Sequence, residues 1–240
     1  SVTVQGVGDG YGFNTAILIE PAERHMIGLT YLSQVNIKYG NKKAELTNIP
    51  TALQPTFGPG NGDVYATGAK TSIRYPDTVS IGYAFNPSDK LTWEVGGQWM
   101  NWDDVRSIDI DLDRPTALFP NSSTRLDWKN SFSVRAGVNY QWTDRVSVSG
   151  GFFSDRSPTN EATYSPLVPD GDHQAFSIGA GYKHGDLTVQ LPIVGMIQTG
   201  TSSINSSTSD STGTQNTKGK YETMVFQVGL GINYRFWGSK

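Results

Sequence analysis

The sequence contains no cysteine, only three histidines and few charged residues, and each scarcity excludes a class of protein. Without cysteine there is neither a disulfide framework nor a thiolate metal site. The 19 Lys and Arg are outnumbered by 22 Asp and Glu and form no cluster, which excludes an electrostatic binder of nucleic acid. Only 36% of the 240 residues are apolar, and no uninterrupted apolar run approaches about 18 residues. A membrane-spanning helix is therefore excluded, and a thick soluble core is not expected.

Aromatic residues, by contrast, are plentiful: the chain has six Trp, 11 Tyr and 10 Phe. So many rings do not fit a chain that stays disordered in water. A transmembrane β-barrel explains both the low apolar content and the many aromatic rings, because each of its strands is apolar on the lipid face and polar or small on the lumen face.

Strict alternation of apolar and polar residues predicts β-strands along the whole chain. It is clearest near the end, where seven alternate positions are apolar: Met224, Phe226, Val228, Leu230, Ile232, Tyr234 and Phe236. Such a run is longer than the usual strand of a soluble sheet but suits a tilted strand that crosses a membrane. The pattern predicts about nine strands and no helix: residues 11–19, 27–39, 79–85, 91–99, 132–142, 146–152, 176–182, 187–197 and 224–236.

The connections between these strands alternate between short and long. Short turns rich in Pro, Asn, Asp and Gly lie at residues 20–25, 86–90, 143–145 and 184–186. Long polar stretches lie at residues 40–70, 103–129, 154–174 and 198–220. This layout predicts an antiparallel transmembrane β-barrel with short periplasmic turns and long extracellular loops. A soluble β-barrel, the alternative, has no reason to sort its loops in this way.

The odd number of predicted strands leads to an expectation about the whole protein. Single-chain bacterial barrels have even counts, and an open sheet would leave unpaired strand edges in lipid. We therefore expect residues 1–240 to be the C-terminal part of one larger outer-membrane barrel domain, with further strands upstream, unless one strand is miscounted.

Several short segments, in their order and spacing, resemble the FadL-type family of outer-membrane transporters for long-chain fatty acids and aromatic hydrocarbons. They include the run from Tyr75-Pro76-Asp77 to Tyr83, the segment Lys90-Leu91-Thr92-Trp93-Glu94, and Trp102-Asp103. Further matches are Arg135-Ala136-Gly137, Ser157-Pro158 and Ser177-Ile178-Gly179-Ala180-Gly181-Tyr182. The resemblance extends over essentially the whole chain.

The resemblance implies a barrel of roughly 14 strands with an N-terminal hatch, so that the hatch and the first strands would precede residue 1. It implies a transporter rather than an enzyme, without cofactor or metal, in the bacterial outer membrane. Hydrophobic molecules would enter passively from outside and leave laterally through a strand kink. The expected partners are the substrate, membrane lipid and the barrel-assembly machinery, and the complete protein is expected to be a monomer.

Strand parity assigns candidate roles to two further groups of residues. Glu94, Arg135 and Arg235 fall on the lumen side, where they could line a substrate path or simply fill the lumen. A second group, Gly231, Tyr234 and Phe236, fits the spacing of a signal for barrel assembly in the last strand; the alternative is an ordinary lipid-facing strand.

Apolar residues in the otherwise polar loops are the candidate substrate contacts. They are Ile49, Leu53 and Phe57 in the first long loop and Leu118 and Phe119 in the second. An acyl chain in such a groove would gain about 0.8 kcal/mol per buried methylene. The alternative is that these residues pack the loops over the mouth of the barrel.

Other patterns predict structure rather than chemistry. Asp109, Asp111 and Asp113 alternate along a predicted strand, but the turn glycine and the bidentate Glu of a calcium loop are missing, which favours a solvated strand face. Pro192 interrupts a strand that should be fully paired, so we expect a bulge or kink there.

Three other functions compete with hydrophobic uptake: an adhesive or structural barrel, a porin for polar solutes, and an outer-membrane hydrolase. The hydrolase is the weakest, because His173 is the only conceivable base and no serine is recognisable as its partner.

Overall fold

The computed structural model describes residues 2–58, 60–159, 170–199, 202–204, 209–210, 213–214 and 219–236. These residues form almost only β-structure, with two short 3-10 helices at Gln54–Phe57 and Trp102–Asp104. Among the described residues no helix has the length and apolar character needed to cross a membrane. The strands are β1 (Val2–Gln5), β2 (Asn14–Ala22), β3 (His25–Leu32), β4 (Val35–Thr47), β5 (Val64–Tyr75), β6 (Thr78–Ser88), β7 (Leu91–Met100), β8 (Ser107–Leu112), β9 (Ser122–Arg125), β10 (Ser131–Gln141), β11 (Val146–Asp155), β12 (His173–His184), β13 (Leu187–Gln198), β14 (Ser202–Ile204), β15 (Ser209–Asp210), β16 (Gly213–Thr214), β17 (Gly219–Tyr221), β18 (Met224–Val228) and β19 (Gly231–Tyr234).

A large antiparallel sheet, here called the wall sheet, contains all or part of each of the nine strands predicted from alternation. Its order is β2-β3-β6-β7-β10-β11-β12-β13-β18, and β19 also pairs with β13. Each strand lies beside the one that precedes it in this series, as in an up-and-down meander. β18 and β19 are two parts of one run, so the prediction of about nine antiparallel strands is confirmed.

Tight turns join the wall strands at one end. Arg24 and Gly185 adopt positive φ angles of 68° and 58° in two of them. The Arg24 guanidinium donates to the Pro87 carbonyl at 3.2 Å and to the Asp89 carboxylate at 3.0 Å, which ties two neighbouring turns together. The short turns predicted from sequence are therefore present at this end.

At the other end, much of the first two long connections forms strands of a second sheet, here called the mouth sheet, of order β1-β4-β5-β8-β9. The pairing of β3 with β6 at Leu32 and Thr78 continues in the same register as that of β4 with β5 at Val35 and Tyr75. The predicted strand 27–39 is thus β3 followed by β4, and the hairpin continues beyond the wall. Parts of the last two long connections lie outside the described residues.

A small hydrophobic core lies in the mouth sheet. One cluster consists of Ala44, Ala69 and Leu112, and the other of Ile49, Phe57 and Tyr65. Phe119 packs against both clusters and therefore joins them. The Tyr65 side chain is only 3% exposed, and its hydroxyl donates to the Arg114 carbonyl at 2.5 Å.

The segment between β1 and β2 runs close along β4 because alternate residues are glycine. A Cβ on Gly12 would lie 2.5 Å from Val35 Cγ2, and one on Gly8 would lie 2.7 Å from Tyr39 Cδ1. These glycines hold the segment from Gly6 to Phe13 against the mouth sheet, although Asp9 and Lys38 form only an isolated bridge there.

The sequence predicts a bulge or kink at Pro192, and the structure has no bulge there. β13 pairs with β18 at Ile193 and Val228 and with β19 at Gln190 and Gly231, which is one unshifted register. The strand accommodates proline by losing a hydrogen bond instead of inserting a residue.

Candidate transport surface

The wall sheet has two chemically different faces, because successive side chains of a strand point to opposite sides. On β12 the apolar face carries Phe176, Ile178 and Tyr182, and the polar face carries Ser177, Gly179 and Gly181. The large apolar side chains are exposed: Ile178 is 66% exposed and Phe226 is 71% exposed. In water such a continuous apolar surface would be unfavourable, whereas hydrocarbon would solvate it.

Aromatic rings border this apolar face at both ends. On β10 the rings are those of Phe132 and Tyr140, and on β12 those of Phe176 and Tyr182. The intervals of eight and six residues correspond to about 20–26 Å along a strand. This length agrees with the apolar band of about 25 Å between the aromatic girdles of outer-membrane barrels.

The girdle near the short turns also contains polar contacts. His25 Nδ1 lies 2.7 Å from the Tyr83 hydroxyl, and the His25 ring stacks on Phe85 with the ring centroids 4.5 Å apart. Rings with one polar atom favour the boundary between hydrocarbon and water.

The polar face contains a shallow trough of about 530 Å³. Its floor includes Gly28 and Gly82, which lie opposite each other on β3 and β6, and Gly96 of β7 continues this row of glycines beneath Arg135. The Arg135 side chain lies across the floor, since a Cβ on Gly96 would come 3.1 Å from Arg135 Nε. Glu94 lines the same trough. Because the floor lacks side chains, the trough leaves space for a ligand on this face.

Of the three residues predicted to face the lumen, the structure brings two together and leaves one apart. Glu94 and Arg135 share the trough, while Arg235 lies at the turn end of the last strand, where its N–H donates to the Asp186 carbonyl at 3.0 Å. All three side chains are exposed.

Where the mouth sheet leaves the wall, polar side chains surround a cavity of about 610 Å³. Its lining residues are Asp9, Gly10, Tyr11, Gln34, Asn36, Lys38 and Arg74. The Asn36 Oδ1 atom is buried and has no hydrogen-bond partner among the described residues. The cavity is therefore lined by charged and polar side chains of both signs.

The five loop residues proposed as substrate contacts fall into two groups. Ile49 and Phe57 are buried in the core of the mouth sheet, and Phe119 packs against them. Leu53 is 43% exposed and Leu118 is 48% exposed. Sequence reasoning missed Tyr65, whose ring contacts both Phe57 and Phe119 and so organises the buried group.

The candidate assembly residues occupy the free edge of the wall sheet. Gly231 pairs with Gln190 of β13, and the Tyr234 and Phe236 rings contact each other edge to face, with their centroids 4.9 Å apart. Both rings are exposed on the apolar face.

One cluster near the mouth contains a serine, a histidine and carboxylates. Ser157 Oγ donates to Asp170 at 2.7 Å, and His173 Nδ1 lies 3.8 Å from the same carboxylate. The hydroxyl is thus engaged by the acid rather than by the imidazole, so these residues do not form a nucleophile with its base. Within the described ranges, no three His, Cys, Asp or Glu residues are arranged to hold a metal ion.

In the mouth sheet, two serine hydroxyls hold the Asp109 carboxylate. Ser123 donates to it at 2.5 Å and Ser107 at 2.9 Å, and these hydrogen bonds lower the pKa of Asp109. Asp109, the first residue of the acidic ladder, is therefore held by hydrogen bonds within the mouth sheet.

An antiparallel meander with an apolar, girdled outer face and a small-residue inner face defines a β-barrel protein of the outer membrane. Residues 2–236 match the family model described as outer membrane protein transport protein (OMPP1/FadL/TodX). The chain belongs to this family, whose members are transport proteins and not enzymes.

Individual relatives agree with this assignment. The chain is 26% identical over 186 residues to a 47 kDa outer membrane protein of Pasteurella multocida, covering 75% of this chain and 41% of that protein. The fold is similar to that of a FadL homologue from Pseudomonas aeruginosa, with a TM-score of 0.76 and 20% identity over 94% of this chain and 52% of the other. It is also similar to the toluene transporter TodX of Pseudomonas putida, with a TM-score of 0.55 and 15% identity over 78% and 44% of the two chains. The chain thus spans about half the length of these proteins or less.

Proposed function

We propose that this chain forms part of a passive channel that admits hydrophobic small molecules across the bacterial outer membrane. The observation that carries the proposal is the contrast between the two faces of the wall sheet. The apolar face is suited to lipid, and the polar face offers a trough with a glycine floor that a ligand could occupy. The family of transport proteins to which the chain belongs supports the same function.

The complete protein is proposed to be a monomeric barrel of roughly 14 strands, with a hatch, that releases its substrate laterally into the membrane. The wall sheet supports a larger barrel, because within the described part of the chain β2 and the last strand each pair on one side only. Unpaired backbone groups would cost several kcal/mol each in hydrocarbon, so further strands are needed at these edges. Gly231, Tyr234 and Phe236 are proposed to present the last strand to the barrel-assembly machinery.

Long-chain fatty acids and aromatic hydrocarbons are the proposed substrate classes. The TodX match, a toluene transporter, supports the aromatic class. Among the five loop candidates, the exposed Leu53 and Leu118 are the proposed points of contact, while Ile49, Phe57 and Phe119 would shape the loops. Glu94 and Arg135 would line the path further in, and Arg235 its periplasmic end.

Uptake into liposomes tests this function. The full-length protein should admit oleate or toluene without an energy source, and it should not cause swelling of liposomes in maltose or sucrose. Rapid sugar flux with no hydrophobic uptake would identify a porin for polar solutes. Neither flux, together with binding of the purified protein to host or bacterial surfaces, would favour an adhesive barrel.

A further inference from the structure

Pro192 lies in the middle of β13, directly opposite Gly229 of the last strand. The Gly229 N–H donates to the Pro192 carbonyl at 2.9 Å, so these two residues form a hydrogen-bonded pair of the antiparallel ladder. Such a pair normally exchanges two hydrogen bonds. Proline has no N–H, and therefore the second bond, to the Gly229 carbonyl, cannot form.

The Gly229 carbonyl has no other donor: no N–H or O–H of the part of the chain described here donates to it. This pair also lies at the centre of the wall. Pro192 is in register with Gly179, which lies midway between the girdle residues Phe176 and Tyr182. At that depth an unpaired carbonyl would cost several kcal/mol in hydrocarbon, so a donor must reach it from the polar face.

The polar face provides space for such a donor. A depression of about 340 Å³ lies over the pair and includes the polar side chains of Asn139, Ser147, Ser149 and Gln190. The pair itself is closely fitted, since a Cβ on Gly229 would come 3.0 Å from Pro192 Cγ. The depression therefore combines an apolar proline ring, a free acceptor and a polar rim in the size range of small-molecule sites.

We propose that the Gly229 carbonyl and the Pro192 ring form a binding site on the polar face for a hydroxyl group attached to an apolar body, such as a phenol or an aliphatic alcohol. The ring contacts the apolar body, and the carbonyl accepts the hydroxyl hydrogen. The inference deepens the proposed function, on which it rests in taking the polar face as the substrate route. It assigns to that route a preference for hydroxylated over plain hydrocarbons.

Nuclear magnetic resonance of the full-length protein in lipid nanodiscs tests the site with two probes of similar shape, phenol and toluene. The Gly229 carbonyl carbon is observed through the amide of Leu230. Phenol should shift this resonance downfield and saturably, while toluene should leave it nearly unchanged. Equal shifts with both probes overturn the proposal, and so does the absence of a phenol shift, which would mean that the carbonyl is hydrated only.

Two variants sharpen the test. Pro192→Ala restores the missing N–H, which would occupy the carbonyl, and it also removes the ring that contacts the apolar body. It should therefore weaken phenol binding by at least about fivefold, the worth of one neutral hydrogen bond. Val194→Ala, on the same face of β13, keeps the carbonyl free and should bind phenol normally. Unchanged phenol binding in Pro192→Ala contradicts the proposal. If phenol binds as expected but the liposomes take up no hydrophobic compound, the site stands and the proposed transport function fails.

Discussion

The wall sheet and the mouth sheet are joined through consecutive strands, yet the first leaves its large apolar side chains exposed and the second buries them. β3 and β6 leave Leu29 and Ile81 exposed, whereas β4 and β5, their direct continuations, bury Ala44 and Tyr65. The two regions must therefore meet different solvents. Water surrounds the mouth sheet and drives its rings into a core, while the exposed residues of the wall need a hydrocarbon environment.

The largest expected effect lies in the mouth sheet. Phe57→Ala removes a buried ring from the Tyr65 cluster and should destabilise this sheet by about 3–5 kcal/mol, the usual cost of such a truncation. Hydrogen exchange should become faster in β4 and β5 and remain unchanged in β12. Leu53→Ala is the matched control, because its side chain is exposed and its loss should be nearly neutral. Equal effects of the two variants would contradict the assigned packing.

A charge on the apolar face of the wall should have the next largest effect. Ile178→Arg places a guanidinium near the middle of the lipid band and should reduce the free energy of unfolding by about 2–4 kcal/mol. The neighbouring Ser177→Arg places the same group on the polar face and should cost much less. Denaturant unfolding in lipid vesicles measures both, and a reversed order would show that the faces are assigned the wrong way round.

The ion pair between Arg24 and Asp89, which joins two periplasmic turns, should contribute less to the free energy of unfolding. Asp89→Ala removes the 3.0 Å contact with Arg24, a pair that is largely exposed, so the expected loss is only about 0.2–1 kcal/mol and falls as salt is added. The same unfolding assay at low and high salt measures it. A loss that is large and independent of salt would mean that the contact is better shielded from water than its exposure indicates.

The smallest expected effect concerns pH in the mouth sheet. The pKa of Asp109 is lowered mainly by Ser123 and next by Ser107, so the carboxylate stabilises the β8–β9 hairpin above its unfolded pKa. This contribution is lost as the pH falls through the lower folded pKa. Ser123→Ala should raise the pKa of Asp109 more than Ser107→Ala does, as measured by a carboxyl-carbon titration. If Ser107→Ala raised the pKa of Asp109 more than Ser123→Ala does, the assignment of the shorter hydrogen bond to Ser123 would be contradicted.

The wall could be predicted from the sequence because alternation is a local signal. Residues such as Phe226 and Gln227 show their faces without knowledge of any partner. Most of the mouth sheet could not be predicted in this way. Its strands carry polar runs such as Asn41-Lys42-Lys43, and the register between β4 and β5 shifts between Tyr39 and Lys42. A shift of one residue reverses the faces and hides the period.

The candidate site was likewise predictable only in part from the sequence. Parity was enough to place Glu94 and Arg135 on one face, but only the pairing of β6, β7 and β10 brings them to one trough. Likewise, the sequence identified Pro192 as unusual, but the free carbonyl opposite it requires the register with Gly229. Ile49 and Phe57 could not be told from Leu53 because their burial depends on packing against Tyr65 of β5, a contact that no sequence pattern in the loop indicates.

Collision of a nitroxide spin label with oxygen and with a water-soluble nickel chelate tests the contrast between the regions most directly. In vesicles of the full-length protein, labels at Phe226, Val228 and Ile232 should be reached preferentially by oxygen, which dissolves in the lipid. Labels at the alternate positions Gln227 and Asn233 should be reached by the nickel chelate. If both reagents fail to reach position 226, as they would beneath a second protein layer, the assignment of the apolar face to lipid is contradicted.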